Sequence, residues 1–404
     1  MSETTEIDAW AADAEAWLAE HSTRRAPRAD LQWGEGSDNV AVFQNLSAAD
    51  EKAHVDALRA WQRTKSDAGY GSIAWPTEYA GAGLTPAHDQ RFAALERGFD
   101  TPEGHEAVSI SLELVGSTIL TCGTDDQKAR YLPALRRAEA HWCQLFSEPG
   151  AGSDLASLQT KAERDGDSWR LTGQKVWTSG AQFADHGYIL TRTDTEAPRH
   201  AGITAFLIDM RAPGVEVRPL RQMSGGSSFN EVFFDGLRVH DSHRIGDVGE
   251  GWKVAITTLG FERMAATKST GGGTDMLDML VLLARHLGRN DDPIVRQMLA
   301  RVYSGRRIRS WNMRRATANA KAMGVPGPEG SIGKLVATLD LEHVVATASH
   351  LLGPRLAADT GEWGTFAWSE MINGLPGFRI AGGTDEIQRN IIGERALGLP
   401  REPR

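Results

Sequence analysis

Residues 141–180 carry side chains whose types and spacing could do chemistry. A short apolar segment, His141 to Phe146, runs into the small polar turn Ser147–Asp154, with the sequence SEPGAGSD. Glycines in such a turn let backbone N–H groups approach a flat polar ligand. An alternating segment then ends at Trp177, Thr178 and Ser179. A planar aromatic beside short hydrogen-bonding side chains suits a flavin ring, which needs one stacked face and a satisfied edge.

Either half alone also fits an ordinary turn or a core tryptophan. Their order and spacing are more specific, and the pair resembles the two flavin signatures of the acyl-CoA dehydrogenase family. Three further segments are similar to that family, in the same order along the chain. They are YGSIAWPTEYAGAGL at Tyr70–Leu84, SFNEVFFDGLRV at Ser228–Val239 and GGTDEIQRNIIGERALGLP at Gly382–Pro400.

The resemblance implies an FAD cofactor and assigns residues to it. Phe146 and Ser147 would contact the pyrimidine side of the flavin, Trp177 would lie against the ring, and Ser179 would donate near N5. The full set of implied FAD contacts is Gln144, Phe146, Ser147, Ser153, Trp177, Thr178, Ser179, Thr384, Glu386 and Gln388. The family's phosphate-binding arginine has no exact match, and Arg285, Arg289 and Arg296 all stay open. The family's Gly-Gly turn near the pyrophosphate is replaced by Leu352-Gly353-Pro354-Arg355.

Desaturation of a thioester needs a carboxylate that removes the α proton and donors that stabilise the enolate-like oxygen. Many family members carry that carboxylate where this chain has Gly382. One branch, which includes the isovaleryl- and long-chain enzymes, places it at the position of Glu262, and we expect Glu262 to be the base. Asp385 and Glu386 are weaker candidates, because both also suit the start of a helix.

The resemblance also implies the substrate contacts. Arg263 would meet the CoA moiety, and Ser153, Gly382 and Gly383 would lie against the substrate, with the Gly382 N–H polarising the thioester carbonyl. The expected reaction converts an acyl-CoA to a trans-2-enoyl-CoA and passes electrons to an electron-transfer flavoprotein. The alternatives are a flavin monooxygenase or desulfinase on the same fold, and a subunit that shares base or FAD with a related chain. A homotetramer is expected, and a heterotetramer is the alternative.

Composition excludes several other classes. The chain has 404 residues, of which 41% are hydrophobic and 24% charged, so it is ordinary globular material for two or three domains. A net charge of −9 argues against a nucleic-acid-binding face. Cys122 and Cys143 give neither a disulfide framework nor metal-ligand spacing, and no metal is expected. The acidic first residues do not read as a signal peptide and no apolar run could span a membrane, so we expect a cytoplasmic protein.

Periodicity predicts three domains. Helical spacing dominates residues 1–140, period-two alternation residues 141–248, and helical spacing again residues 249–404. The predicted class is α+β, with an α-helical domain, a central antiparallel sheet or barrel, and a C-terminal four-helix bundle. Among the helices, we expect Ser47 to cap one that starts after it, and Pro133 to break another.

Overall fold

The structure is a computed structural model, and it describes residues 3–25, 40, 45–268, 276–323, 327–358 and 365–401. The described residues pack as two compact units. The first comprises the described parts of Met1–Pro27, Leu46–Leu220 and Ser228–Leu259, and the second those of Arg28–Asn45, Arg221–Ser227 and Gly260–Arg404. The sequence also predicts a loop in the Arg/Pro/Gly-rich stretch up to about Gly36 and a helix over Asp275–Leu287. Residues 26–36 of that loop and Asp275 lie outside the described residues.

The first unit is helical before residue 140 and contains the sheet after it. Its helices are α1 Glu3–His21, α2 Ala48–Asp67, α3 Pro86–Glu96, α4 Glu106–Ser109, α5 Ser117–Cys122 and α6 Asp125–Arg136. A π-helical segment, Ile110–Gly116, joins α4 to α5. Ser47 caps α2 as predicted, because its side chain accepts the Asp50 N–H at 3.2 Å.

The predicted break at Pro133 is wrong. Helix α6 continues through Pro133 to Arg136. A proline removes one helical hydrogen bond, but the fully buried Leu132 and Leu135 pack this last turn into the core. Tertiary packing therefore outweighs the local cost.

The strands of the first unit are β1 Trp142–Leu145, β2 Lys161–Asp165, β3 Ser168–Ser179, β4 His186–Arg192, β5 Ile203–Asp209, β6 Val215–Leu220, β7 Phe229–His240 and β8 Arg244–Ile245. They form one sheet in the order β6-β7-β3-β2-β4-β5-β8, with β1 paired to β4. The sheet is mostly antiparallel, as expected, but β1 runs parallel to β4, and β2 meets β4 in a parallel pairing of Lys161 with Arg192. Strand β4 is buried on both faces: Tyr188 and Leu190 enter one core and Ile189 the other. An apolar run without alternation reflects this double burial.

The second unit is a helical bundle. It contains the end of α7 Gly251–Lys268, then α8 Met276–His286, α9 Pro293–Met323, α10 Glu329–Leu352, α11 Thr365–Ile380 and α12 Asp385–Ile391. A π-helical segment, Ile392–Ala396, follows α12. Its core gathers apolar side chains of α8 to α11, including Leu283, Val295, Ala348 and Trp368. Among the described helices, none combines the length and apolar character that crossing a bilayer requires.

Candidate functional site

The predicted site residues form two groups, one in each compact unit. We call Gln144, Phe146, Ser147, Ser153, Trp177, Thr178 and Ser179 the sheet-side cluster. We call Glu262, Gly382, Gly383, Thr384 and Gln388 the bundle-side cluster. Each is described within its own unit.

The structure brings the two halves of the sheet-side cluster together. The Val176 N–H donates to the Ser147 carbonyl at 2.9 Å, which ties the SEPGAGSD turn to the end of β3. The turn closes on itself, since Glu148 and Ala151 exchange backbone hydrogen bonds of 3.0 Å. An added Cβ at Gly150 or Gly152 would meet nothing within 4 Å. The turn therefore leaves open space beside its backbone.

Trp177 lies at an irregularity in β3. The pairing of β3 with β7 shifts register between Lys175 and Thr178, and Trp177 has a φ of 61°. A bulky residue in this left-handed region is uncommon and marks local strain. The residue keeps 62% of its surface exposed. The bulge thus turns a large aromatic face outward.

Unpaired polar atoms test whether a flavin fits here. Thr178 Oγ1 and Gln144 Oε1 are both buried without a hydrogen-bond partner among the described residues. Buried polar atoms cost free energy unless they are bonded, so such atoms beside an exposed tryptophan suit a ligand with a polar edge. Ser179 already bonds the Glu106 side chain, a neighbour that sequence reasoning missed. Phe146 packs on Tyr188 in the core with ring centroids 5.1 Å apart, so a ligand would meet its backbone rather than its ring.

Ser153 lies exposed in the turn. For the phosphate end of a cofactor, Arg285 and Arg296 are exposed, whereas Arg289 bonds the His350 carbonyl at 3.0 Å and Asp292 at 2.6 Å.

A buried ion pair supports the sheet-side cluster. Lys175 Nζ lies 2.7 Å from Glu148 Oε1, and the two residues are 0% and 8% exposed. Burial raises the pKa of Glu148, but the Lys175 charge and hydrogen bonds outweigh burial and the pKa ends below its ordinary value. Sequence reasoning passed over both residues. The available signal was a lysine at an inward position of an alternating strand.

The bundle-side cluster brings residues 262 and 382 to one place. Gly382 has a φ of +65°, and a Cβ built on it would lie 3.3 Å from Glu262 Oε1. The Glu262 carboxylate therefore occupies the space beside residue 382, the position that the resemblance associates with a glutamate in many relatives. The side chain of Arg263, the predicted CoA contact, lies outside the described residues.

The glycine turn of the bundle-side cluster is held from its other side. Gln388 Nε2 donates to the carbonyls of Gly382 at 2.9 Å and Gly383 at 3.2 Å. Thr384 caps α12 by accepting the Ile387 N–H at 3.2 Å. The buried Gln388 Oε1 has no partner among the described residues, so it could bind a donor from a ligand. Glu386 is exposed at the helix start.

Asp385 is an anchor rather than a free carboxylate. It is 1% exposed, and it accepts hydrogen bonds from Thr338 Oγ1 at 2.8 Å, Lys334 Nζ at 3.2 Å and Arg379 Nε at 2.8 Å. Burial raises the pKa of Asp385, but these hydrogen bonds lower it by more, so the pKa ends below its ordinary value. A carboxylate so engaged is a poor proton acceptor, which argues against the alternative base at 385.

Comparisons with known proteins identify the family over most of the chain. The chain matches the family descriptions "Acyl-CoA dehydrogenase, N-terminal domain" over residues 41–139, "middle domain" over 143–237 and "C-terminal domain" over 249–397. It is 39% identical to acyl-CoA dehydrogenase IpdE1 of Mycobacterium tuberculosis, covering 87% of this chain and 90% of that protein.

Two solved structures are similar over nearly the whole chain. One is titled "Tcur3481-Tcur3483 steroid ACAD", with a TM-score of 0.77, 26% identity and 99% of both chains covered. The other is the ChsE4-ChsE5 complex from Mycobacterium tuberculosis, with a TM-score of 0.73, 25% identity and 100% of both chains covered. The chain therefore belongs to the acyl-CoA dehydrogenase family of flavoprotein oxidoreductases.

Proposed function

We propose that this protein is an FAD-dependent dehydrogenase that desaturates an acyl-CoA thioester between its α and β carbons. The observation that carries the proposal is the placement of the Glu262 carboxylate beside Gly382, with 3.3 Å between Glu262 Oε1 and a Cβ built there. A base from the bundle helix thus fills the place that a base on the glycine turn would use.

Glu262 removes the α proton of the bound thioester in this proposal. A base acts well only when it is positioned within hydrogen-bond reach of the proton it takes. The Gly382 N–H polarises the thioester carbonyl, because a backbone donor survives any change of side chain. The Gln388 bonds to the Gly382 and Gly383 carbonyls hold the two peptide planes that follow this N–H, and so restrain the turn that carries it.

The sheet-side cluster holds the flavin in this proposal. FAD, when bound, supplies a ring that accepts the β hydride. The exposed Trp177 offers a flat apolar face, and the buried Thr178 hydroxyl and Gln144 amide oxygen offer hydrogen bonds that no described residue uses. Fixed groups of this kind cost little to reorganise when charge develops on a ligand.

The substrate we propose carries a bulky, ring-bearing acyl group. Gly382 carries no side chain, so the turn itself adds no bulk beside Glu262 that would compete with a large acyl group. The similar structure whose title names a steroid enzyme points to the same class.

The protein works as an oligomer in this proposal, with a homotetramer as the first form and a two-chain heterotetramer as the alternative. Helix α9 exposes four large hydrophobic residues, Ile294, Tyr303, Ile308 and Trp311, which lie 49–59% exposed. An exposed apolar face of this size is typical of an interaction surface. The titles of the two similar structures each name a pair of chains, which favours testing the alternative. Mass measurement combined with the ratio of flavin to chain separates the two forms.

The deciding experiment mixes the purified, FAD-loaded protein with acyl-CoAs under anaerobic conditions. We expect rapid bleaching of the flavin by a ring-bearing acyl-CoA, and reoxidation of the reduced protein by an electron-transfer flavoprotein. No bleaching by any acyl-CoA of a broad panel would contradict the dehydrogenase. It would leave the monooxygenase class, whose flavin is reduced by a separate reductant, or the desulfinase class, whose reaction needs no net reduction of the flavin.

A further inference from the structure

Lys175 is a fully buried lysine in the middle of a strand. Its Nζ donates to Glu148 Oε1 at 2.7 Å and to the Phe146 carbonyl at 3.1 Å. Removing an ammonium group from water is costly, and burial lowers the pKa of Lys175 to about 8 against the opposing effect of Glu148. A cation held at this cost is a candidate for a specific positional role.

Glu148 connects the pair to a third segment. Its carboxylate oxygens accept the backbone N–H groups of Gln159 at 2.6 Å and Thr160 at 2.9 Å. The pair therefore joins the end of β1, the approach to β2 and the end of β3. These segments carry the backbone of Phe146 and Ser147 on one side and Trp177 on the other.

The strained bulge at Trp177 lies between two buried polar anchors. Lys175 precedes it by two residues. On its other side, the fully buried Asn230 donates from Nδ2 to the Thr178 carbonyl at 3.0 Å. A non-glycine residue stays in the left-handed region only where its surroundings determine it. The two anchors hold the backbone on either side of Trp177 and so keep its aromatic face outward.

We propose that the Lys175–Glu148 pair is a positioning device for the flavin: it fixes the Phe146–Ser147 backbone relative to the Trp177 bulge, so that tight flavin binding depends on it. The proposal rests on the proposed function, because it assumes that the sheet-side cluster takes FAD. It differs from a purely stabilising role in its consequence. A stabilising pair can be replaced by any two residues that restore stability, whereas a positioning pair cannot.

The test compares Lys175→Met, Glu148→Gln and the double variant. Each single change leaves one group buried without its partner, so both should lower the melting temperature of the flavin-free protein. The double variant removes both charges and should regain most of the wild-type melting temperature. Its dissociation constant for FAD should still be about tenfold or more above that of the wild type, since the loss of charge-assisted hydrogen bonds corresponds to at least that factor. The visible spectrum of its bound flavin should also shift from that of the wild type.

A matched control lies on the same two strands. Asp165 and Arg170 form an ion pair at 3.2 Å between β2 and β3, with side chains 44% and 58% exposed. The double variant Asp165→Asn with Arg170→Met should change neither melting temperature nor FAD affinity. Recovery of wild-type FAD affinity together with stability in the Lys175–Glu148 double variant would overturn the proposal.

The two proposals fail separately. Wild-type protein that binds FAD but is not bleached by any acyl-CoA contradicts only the dehydrogenase proposal. The positioning proposal is then still decided by the FAD affinities of the variants. Wild-type protein that binds no FAD contradicts both.

Discussion

The sheet-side and bundle-side clusters each lie beside a glycine-bearing turn that is supported by a buried carboxylate and a lysine. The two supports differ in how far apart their residues are in the sequence. On the sheet side, Glu148 and Lys175 are 27 residues apart and lie in neighbouring segments of one motif. On the bundle side, Asp385 draws Lys334 and Thr338 from α10 and Arg379 from α11. The same physical device is local in one unit and spread over three helices in the other.

The two turns also differ in whether backbone groups or a side chain face them, and this affects which substitutions each turn tolerates. The sheet-side turn contacts its support through backbone groups, such as the Ser147 carbonyl and the N–H groups of Gln159 and Thr160. The bundle-side turn faces a side chain, Glu262, that comes from a separate helix. A backbone platform tolerates little variation in shape, whereas a carboxylate can move to another helix without altering the turn. This fits a chain whose cofactor motifs are recognisable while its proposed base, Glu262, lies on a different helix from the one that follows the glycine turn.

Glu262→Gln is the largest expected effect, because it removes the proposed base and keeps its shape. We expect the rate of flavin reduction by acyl-CoA to fall by about 10⁴-fold, the upper range of general-base catalysis. FAD content should stay at the wild-type level, since the sheet-side cluster is unchanged. Stopped-flow flavin bleaching measures the reduction rate, and the visible absorbance before mixing measures the FAD content. Glu216→Gln, at an exposed ion pair with Arg218, is the control, and activity retained by Glu262→Gln would remove Glu262 from the mechanism.

Asp385→Ala tests the bundle-side anchor. Removing one member of a buried charged network leaves Lys334 unpaired, and we expect the free energy of unfolding to fall by about 3–5 kcal/mol. Glu386→Ala, at the exposed neighbouring position, should cost much less, because it loses a helix-dipole interaction and an exposed ion pair with Arg389. Denaturant unfolding of the two flavin-free variants measures the contrast. Equal losses would show that the network contributes no more than an exposed helix-start charge.

The two units should also differ in their response to acid. Burial and the nearby Arg59 lower the pKa of His141 to about 4, from an ordinary value of 6.5. The unfolded chain therefore binds a proton that the folded chain refuses between these values. Stability should fall as pH drops from about 6.5 to about 4, by up to roughly 3 kcal/mol. The pKa of His141 is also affected by charges on neighbouring elements, with Asp185 and Asp56 raising it and His105 lowering it.

The bundle should keep its stability over that pH range. The pKa of Asp385 lies below its ordinary value of 3.8, so its contribution is present above that pH and is lost only as pH falls through the lower folded value. Hydrogen exchange between pH 6.5 and 4 should show loosening of β1 and α2 before α10 to α12. His141→Leu should flatten the slope for the first unit, and an unchanged slope would assign the acid sensitivity to another group.

Secondary-structure elements were predictable where the local sequence pattern matched the packing of the segment. Helical spacing predicts Gly251–Lys268 and Pro293–Met323, and alternation predicts Ile203–Asp209 and Val215–Leu220, which are the bounds of α7, α9, β5 and β6 in the structure. The α, β, α order is confirmed by the family match. Helix α11 was missed because Gly374, Pro376 and Gly377 disfavour a helix locally, while the fully buried Trp368 and Met371 hold it in the bundle core. The parallel pairing of β1 with β4 left no local signal either, since pairing direction depends on chain topology.

The site divides in the same way. The flavin contacts and the base at Glu262 remain predictions from motifs, and the structure adds the neighbours that those motifs could not reveal. Lys175 and Glu148 lie within the flavin motif, but only the fold shows that their charges meet. Asp385 looked like a helix-start residue, and only the positions of Lys334, Thr338 and Arg379 show it to be an anchor.

Gly382→Ala is the smallest expected effect and the sharpest test of the bundle-side geometry. Gly382 and Gly288 share a φ of +65°, so alanine at either position should cost about 1 kcal/mol of stability from backbone strain. At Gly288 an added Cβ meets nothing within 4 Å, whereas at Gly382 it would press on Glu262 Oε1 at 3.3 Å. Both variants should therefore lose similar stability, but only Gly382→Ala should slow flavin reduction, since displacing a base by a few tenths of an ångström misaligns proton transfer. Equal reduction rates in the two variants would mean that Glu262 does not act from the place beside residue 382.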